Sequence, residues 1–356
     1  MRRRQSRSVK VGDVIIGGGF PVSIQSMTNT DTRDVDATIH QITGLFDAGC
    51  DIVRLAVLNN DAAKRLKDIR TRISRPLVAD IHFQYKLALR AIEAGFDKIR
   101  INPGNIGAEW KVREVTRAAA DAGVPIRIGV NSGSLPKDLR DKYGHNAPGA
   151  FVEAAMREAE ILENMDFHDI IISVKSTDCM TSFRAYHMLA EECDYPLHIG
   201  ITEAGVPETG TIKSSVGIGA LLMTGIGDTL RVSLTADPVH EVRVGKRILT
   251  CCNLRNEGVE VISCPTCGRA QIDLIALAES VSRKTEHIKT PLKVAVMGCS
   301  VNGPGEAAAA DIGIAGGAGQ GVLIKKGEIV ARLDESDLES SLLAAIEVMT
   351  GEKVRD

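Results

Sequence analysis

The sequence predicts an α/β fold in which a (β/α)8 barrel is followed by a small α+β domain. Between about residue 20 and residue 250, short apolar runs alternate eight times with amphipathic helical segments. This alternation stops near residue 258, where glycine-punctuated strands begin. Eight β-then-α units in series are typical of a closed parallel barrel. A doubly wound open sheet is the second architecture that the same pattern allows.

Two short strands around a glycine turn are predicted at residues 9–16 and 20–24, where they would cover one end of the barrel. Residues 22–25 also provide the first barrel strand. The other seven barrel strands are predicted at residues 51–57, 77–81, 98–101, 126–130, 169–174, 197–201 and 229–234. The helices carry apolar residues at three- and four-residue spacing and are predicted at residues 37–48, 62–73, 85–94, 109–122, 149–164, 182–192, 212–224 and 239–251.

The second domain is predicted to begin directly after the last barrel helix, so that the domains cover residues 1–255 and 256–356. Its predicted strands lie at residues 259–262, 292–296, 311–314, 321–325 and 328–333. Its predicted helices lie at residues 271–284 and 336–350. The glycine-rich segment at residues 316–321 joins two strands and opens no helix, so we predict a turn rather than a phosphate-binding loop.

Composition limits the classes of function. Hydrophobic residues make up 44% and charged residues 25% of the 356 residues, which is ordinary for a globular protein. A net charge of −3 and an aromatic content of 3% argue against nucleic-acid binding. The basic N-terminal segment precedes no apolar run of signal-peptide or membrane-spanning length, and eight cysteines are too few for a disulfide scaffold. We therefore expect a cytoplasmic protein that binds neither membranes nor nucleic acid.

Four predicted barrel strands carry an arginine between two aliphatic residues. These arginines are Arg54, Arg100, Arg127 and Arg231. Because side chains alternate between the two faces of a strand, arginines flanked by aliphatic residues that pack outward must point into the barrel lumen. Lys175 adds a fifth cation after the sixth strand. Internal carboxylates such as Asp80, Asp178 and Glu203 would pair with one or two cations, and the remainder predict a polyanion ligand.

Polar residues follow the predicted strands at the end where barrel enzymes place their active sites. They include Asp80, His82, Asn102, Asn131, Thr202 and Glu203. The planar fork of arginine suits phosphate oxygens, so a diphosphate is the ligand that this set favours. Glu203 is an acid in a site rich in cations, and we predict that it takes part in proton delivery.

The second domain carries a candidate metal centre. Cys264 and Cys267 form a C-P-T-C pair, and Cys299 lies in a later turn that ends at Glu306. Three thiolates and one oxygen donor suit an iron–sulfur cluster with one iron held differently from the others. A structural zinc site is the alternative, although the sequence offers no fourth cysteine or knuckle histidine for it. We interpret four of the other thiols as core residues, namely Cys179, Cys193, Cys251 and Cys252.

The motifs of this sequence together resemble those of the hydroxymethylbutenyl diphosphate synthase family of the methylerythritol phosphate isoprenoid route. They are ADIH at residues 79–82, IRINPGN at 99–105, IRIGVN at 126–131, SVK at 173–175, GITEAG at 200–205, SCPTCGR at 263–269 and GCSVNGPGE at 298–306. The match spans nearly the whole chain. It implies a TIM-like barrel followed by an iron–sulfur domain similar to that of sulfite and nitrite reductases.

The resemblance also implies a reaction. This is the reductive ring opening of 2-C-methyl-D-erythritol 2,4-cyclodiphosphate to (E)-4-hydroxy-3-methylbut-2-enyl diphosphate, with two electrons from flavodoxin or ferredoxin. By the same resemblance a 4Fe-4S cluster is held by Cys264, Cys267, Cys299 and Glu306. The diphosphate is bound by Arg54, Arg100, Arg127 and Lys175. The site is lined by Asp80, His82, Asn102 and Asn131, while Glu203 acts as acid or base and Glu306 as a replaceable ligand.

We also expect a homodimer whose active site is shared between chains. Only a short segment separates the barrel, which ends near residue 250, from the second domain, so that domain would not fold back over its own barrel mouth. The resemblance implies the same arrangement, with one chain's cluster over the other chain's barrel. Two other classes remain open. One is a pterin or aldolase-type barrel enzyme whose cluster only stabilises the fold, and the other is a non-catalytic redox sensor.

Overall fold

A computed structural model describes residues 2–144, 147–299 and 303–355 of the chain. The chain divides into two compact units, Met1–Arg255 and Asn256–Asp356. Each unit has its own hydrophobic core. Among the described residues, no helix combines the length and the apolar character that are needed to span a bilayer.

The first unit is a closed parallel barrel. Two short strands, β1 (Ser8–Val11) and β2 (Val14–Gly17), precede the barrel in the chain and pair antiparallel. The barrel strands are β3 (Ser23–Met27), β4 (Ile52–Ala56), β5 (Leu77–Asp80), β6 (Lys98–Ile101), β7 (Ile126–Asn131), β8 (Ile170–Lys175), β9 (His198–Ile199) and β10 (Thr229–Leu230). Their order is β8-β7-β6-β5-β4-β3-β10-β9, and a parallel bridge between Ile172 and Leu197 joins β8 to β9. The predicted barrel is confirmed, and the open-sheet alternative is wrong.

The helices that surround this barrel differ in whether a side chain caps their first turn. They are α1 (Val35–Asp47), α2 (Asn60–Arg72), α3 (Tyr85–Glu93), α4 (Pro103–Ile106), α5 (Glu109–Ala122), α6 (Lys137–Tyr143), α7 (Pro148–Glu163), α8 (Cys179–Glu192), α9 (Pro207–Met223) and α10 (Pro238–Cys251). Asp34, Asn59, Asp178 and Asp237 each accept a backbone hydrogen bond at a helix start. The sequence did not predict α4 and α6, because elements of four and seven residues are too short to show a helical period.

The N-terminal hairpin closes one end of the barrel, as predicted. Val9, Val11 and Ile16 pack against Ile52 and Val78, which lie near the beginnings of β4 and β5. The predicted second strand at residues 20–24 is wrong, since the hairpin ends at Gly17 and the next strand belongs to the barrel. The three glycines at residues 17–19 all have positive φ angles, and they turn the chain between the two.

The second unit is a five-stranded sheet with helices on its faces. Its strands are β11 (Val259–Ser263), β12 (Leu292–Met297), β13 (Ile312–Gly316), β14 (Gln320–Lys325) and β15 (Glu328–Asp334), and its helices are α11 (Leu274–Thr285), α12 (Gly303–Ala307) and α13 (Leu338–Thr350). The first three strands are parallel and the last two pair antiparallel. Gly316 pairs with Gly321 across the turn between β13 and β14. The glycine-rich segment is therefore the predicted turn.

The side chain of Tyr186 supplements the hydrogen bonding between β8 and β9. The hydroxyl of Tyr186, in α8, donates to the carbonyl of His198 at 2.6 Å and accepts from the amide of Val174 at 3.2 Å. These two backbone groups belong to β9 and β8, which share only the bridge at Ile172. Burial raises the pKa of Tyr186, so the hydroxyl remains a donor. The phenol thus replaces a missing part of the ladder between the two strands.

We expect Tyr186→Phe to lower the free energy of unfolding of the barrel by about 1–3 kcal/mol, because it leaves a buried amide and a buried carbonyl without partners. Chemical denaturation followed by circular dichroism would measure the shift. Tyr143→Phe is the matched control, since that hydroxyl donates to Glu153 at the surface and its loss should change little. Equal stability of the wild-type protein and Tyr186→Phe would contradict the assigned role.

Candidate anion-binding site and candidate metal centre

A cavity of about 150 Å³ opens at the carboxyl ends of the barrel strands. It is lined by Arg54, Asp80, His82, Arg100, Arg127, Asn131, Ser173, Lys175, Thr202, Arg231 and Ser233. All of the residues that the sequence predicted for substrate binding are in this lining except Asn102. The sequence prediction missed Ser173 and Ser233, which lie two positions from Lys175 and Arg231 and therefore share their lumen-facing side.

Asp80 organises one side of the cavity. Its carboxylate lies 3.2 Å from Nη1 of Arg100, 3.8 Å from Nε of Arg54 and 3.6 Å from Nε2 of His82. Burial opposes ionisation of Asp80, but Arg54, the hydrogen bond from His82 and Arg100 together lower the pKa of its carboxyl below the ordinary value. Asp80 is therefore an anion that holds two arginines and one histidine in place.

A glycine makes room for Arg100. Nη2 of Arg100 donates to the carbonyl of Gly129 at 3.0 Å. A Cβ atom at Gly129 would lie only 2.5 Å from Nε of Arg100. Any larger residue at position 129 would displace the guanidinium of Arg100. Gly129 therefore determines the position of this cation.

Arg231 differs from the other cations because it has a dedicated partner. Its Nε and Nη2 donate to the two carboxylate oxygens of Glu241 at 3.0 and 3.1 Å. Glu241 lies in the first turn of α10, is buried, and also accepts hydrogen bonds from Ser26 and from the amide of Leu234. The sequence prediction missed Glu241, because nothing in the helical pattern distinguishes an inward-facing glutamate from a solvated one.

Two predicted internal carboxylates are not in the lumen. Asp178 is exposed and caps α8 by accepting from the amide of Thr181, so the prediction that it pairs with lumen cations is wrong. Glu203 is also exposed, in the turn after β9, next to Thr202 of the cavity lining. Its φ angle of 52° is in the left-handed region, which a glutamate adopts at an energetic cost. Asn102 is buried at the start of α4 and lies outside the lining.

The cations of the cavity outnumber its carboxylates. The carboxylates are Asp80, which lines the cavity, and Glu241, which pairs with Arg231. The cations are Arg54, Arg100, Arg127, Lys175 and Arg231. Nε and Nη1 of Arg127 are buried and have no hydrogen-bond partner among the described residues. Burial lowers the pKa of Arg54 to about 10 despite Asp80, and burial together with the neighbouring arginines lowers the pKa of Lys175. This uncompensated positive charge suits an anion with several oxygen acceptors.

The elements that carry the candidate metal ligands meet at one edge of the second sheet. Because β11 and β12 are parallel, Cys264 and Cys299 leave the sheet at the same edge. The amide of Gly298 donates to Sγ of Cys264 at 3.4 Å, and its carbonyl accepts from the amide of Gln271 at 2.9 Å. The loop after Cys264 is therefore in contact with the segment that carries Cys299.

Glu306 lies in α12, which packs on the same edge. A Cβ atom at Gly303, the first residue of α12, would lie 2.9 Å from Cβ of Ala315 and 3.1 Å from Cβ of Met297. The ends of β12 and β13 thus support this short helix directly. Residues 300–302 of the motif lie outside the described residues.

The donor set suits an iron–sulfur cluster in chemical type. Cys264, Cys267 and Cys299 form no disulfide within the described structure, and the amide donor at Cys264 is the kind of hydrogen bond that tunes cluster sulfurs. Within the described ranges, no three His, Cys, Asp or Glu side chains converge into a group that is ready to hold a metal ion. Among the other cysteines, Cys251 is exposed, so its interpretation as a core thiol is wrong.

Each of the two units matches a known protein-domain family. The GcpE TIM-barrel domain matches residues 6–246, and the GcpE protein C-terminal domain matches residues 260–348. The chain belongs to the GcpE family.

Whole-chain relatives agree with this membership. The 4-hydroxy-3-methylbut-2-en-1-yl diphosphate synthase (flavodoxin) of Clostridium perfringens is 57% identical over 349 residues, which cover 98% of this chain and 100% of the relative. The protein of the same name from Caldanaerobacter subterraneus is 57% identical over 351 residues, which cover 99% of each chain. These relatives match both units and carry the name of the family that the motifs resemble. The predicted family resemblance and the prediction of an enzyme are therefore confirmed.

A solved structure supports the barrel fold. Dihydropteroate synthase from Stenotrophomonas maltophilia superposes with a TM-score of 0.50 at 14% identity, and the match covers 68% of this chain and 98% of that chain. At this identity the similarity concerns the fold alone. It agrees with a TIM barrel in the first unit.

Proposed function

We propose that this GcpE enzyme opens the ring of 2-C-methyl-D-erythritol 2,4-cyclodiphosphate reductively and forms (E)-4-hydroxy-3-methylbut-2-enyl diphosphate for isoprenoid synthesis. The ring carbon–oxygen bond breaks and its oxygen stays on the diphosphate, while two electrons enter from flavodoxin or ferredoxin. The hydroxyl on the neighbouring carbon leaves as water after it gains a proton, and the carbon–carbon double bond forms between the two carbons. The surplus of buried cations at the carboxyl ends of the barrel strands is the observation that most directly supports this proposal. The relatives' printed names, at 57% identity over nearly the whole chain, support the same reaction.

The diphosphate oxygens are the natural partners of the unpaired cations. Arg127 has two buried nitrogens without partners, and no carboxylate of the described residues pairs with Lys175. Arg54 and Arg100 lie beside Asp80 and line the same cavity. Arg231, held by both oxygens of Glu241, contributes a fixed charge at the rim. His82, Asn131 and Asn102 complete the proposed substrate site.

The second unit would hold a 4Fe-4S cluster through Cys264, Cys267, Cys299 and Glu306, and the bound cluster would supply the electrons. The carboxylate of Glu306 is a hard donor beside three soft thiolates, so it is the ligand that a substrate oxygen would replace most readily. Glu203 is proposed as the acid that protonates the departing oxygen. Its exposed carboxylate follows Thr202 of the cavity lining, at a backbone position that costs energy to maintain.

We further propose a homodimer in which one chain's cluster domain serves the partner's barrel. Exposed apolar side chains on α8 and α9 support self-association of the barrel unit. They are Met180, Met188, Ile212, Val216 and Met223. Apolar residues at such exposure on two neighbouring helices are typical of a surface that another chain covers.

Arg127→Met tests the diphosphate site. The substitution removes a charged donor but keeps an unbranched side chain, so we expect the substrate to bind about tenfold more weakly or worse. Substrate-dependent oxidation of a reduced viologen dye by anaerobically reconstituted protein would measure the Michaelis constant, and the absorption spectrum would show an unchanged cluster. Arg113→Met, on the exposed face of α5, is the control. Unchanged kinetics in Arg127→Met would refute the assignment, and no dye oxidation by wild type would refute the reaction.

Subunit mixing tests the shared active site. If one chain's cluster serves the other chain's barrel, a mixture of Arg127→Met and Cys264→Ser regains activity, because hybrid dimers contain one intact barrel opposite one intact cluster. A mixture of Arg127→Met and Lys175→Met is the control, since every barrel in it is defective. Absence of recovery in mixtures that demonstrably exchange subunits would favour a site within one chain.

Glu306→Ala tests the fourth cluster ligand. We expect a cluster that is less stable or lacks one iron, together with a nearly complete loss of turnover, because three thiolates remain for four irons. Iron analysis and electron paramagnetic resonance would follow the cluster separately from activity. Glu279→Ala, at an exposed position in α11, is the control. A full iron content with an unaltered signal and normal turnover would show that another group is the fourth ligand.

A further inference from the structure

The barrel lumen contains a polar layer below the cavity. Its floor is apolar, because Ile52, Val78 and Ile171 pack against the N-terminal hairpin. Above this floor lie five buried polar residues, Ser23, Gln25, Lys98, His198 and Thr229. Lys98 and Thr229 share the lumen-facing parity of the cavity residues Arg100 and Arg231. Ser23 pairs in register with Thr229, and Thr229 pairs with His198. Barrel interiors are usually filled by branched aliphatic residues at this depth, so a polar layer requires a reason.

These polar groups are buried and mostly without partners. Nζ of Lys98, Nε2 of His198, Oγ of Ser23 and both amide atoms of Gln25 make no hydrogen bond within the part of the chain that the structure describes. Nδ1 of His198 lies 3.4 Å from Oγ1 of Thr229. Lys98 and His198 both have 0% exposure, and unpaired polar groups at such burial are costly.

The charges around Lys98 come from every neighbouring strand, and most of them are positive. They are Arg54 on β4, Asp80 on β5, Arg100 on β6, Arg127 on β7, Lys175 on β8, His198 on β9 and Arg231 on β10, with Glu241 of α10 beyond. Both carboxylates are already engaged by arginines. Burial, Arg127 and Arg54 lower the pKa of Lys98, and burial, Lys175 and Arg127 lower the pKa of His198.

We propose that Lys98 and His198 form a proton-uptake layer, in which Lys98 gains a proton from solvent when a diphosphate enters the cavity above it. The inference rests on the proposed function, because it requires an anion in that cavity. A bound anion favours the protonated form of a nearby amine, just as the surrounding arginines oppose it in the free protein. Lys98 does not line the cavity and acts on the anion through charge alone. Protonation of Lys98 thus increases the positive charge of the lumen when an anion is bound.

Linkage determines the sign of the pH effect. Because anion binding raises the proton affinity of Lys98, binding takes up protons at any pH between the pKa of the free protein and that of the complex. Within this interval the affinity for the anion falls as the pH rises. A merely structural lysine would leave the proton count of binding unchanged.

The test is calorimetric titration of the anaerobic full-length protein with inorganic pyrophosphate at a series of pH values from about 6 to about 10, in two buffers of different ionisation enthalpy at each pH. The proteins are compared at the pH where proton uptake by wild type is largest. We expect wild type to take up about half a proton or more per pyrophosphate relative to Lys98→Met. Lys98→Arg should also lose this uptake, because a guanidinium is always charged, but it should bind the anion at least as tightly as wild type. Titration of the pyrophosphate itself is common to all proteins and cancels in the comparison. Lys86→Met, at an exposed position in α3, is the control.

Equal proton uptake by wild type, Lys98→Met and Lys98→Arg would overturn the inference while leaving the anion site intact. Absence of pyrophosphate binding by wild type would overturn the anion site and the inference with it. Where Lys98→Met does not fold, as judged by circular dichroism, Lys98→Arg decides alone, since loss of uptake with retained affinity supports the proposal and retained uptake refutes it.

Discussion

The concentration of positive charge inside a closed barrel is the constraint on which the rest of the first unit depends. Arg54, Arg100 and Arg127 lie on β4, β6 and β7 and would repel one another in an apolar lumen. Asp80 offsets part of this repulsion by contacting the first two, and it leaves the third unpaired. The barrel lumen therefore carries uncompensated positive charge, which an anionic ligand can neutralise. Its stability and its binding capacity are two consequences of the same arrangement.

Small residues and one phenol make this arrangement sterically possible. Gly129 leaves space for the guanidinium of Arg100, and a Cβ atom at Gly200 would lie 2.7 Å from Nζ of Lys175. Tyr186 supplies hydrogen bonds where β8 and β9 no longer pair directly, one residue away from Lys175. The seam between these strands thus leaves space for a lysine, and the phenol satisfies one amide and one carbonyl along it.

The second unit uses parallel strands for a different chemistry. Ends of β11, β12 and β13 lie at one edge, where Cys264, Cys299 and the short helix with Glu306 are attached. Ala295 and Met297 pack with Ala307 and Ala315 beneath that edge. Close packing of these small side chains supports the loop and the helix from below. A ligand set drawn from three separate segments acquires a common location in this way.

The sequence by itself determined most of the longer helices and strands and most of the cation site, because both are local patterns. Arginines between aliphatic residues must face the lumen once the flanking residues pack outward, and cysteines after parallel strands must share an edge. Only the tertiary structure decided that Glu241 pairs with Arg231, that Glu203 is exposed, and that Lys98 lies unpaired below the cavity. Partners of this kind come from segments far apart in the chain, so their pairing depends on strand register and barrel closure, which no local periodicity encodes.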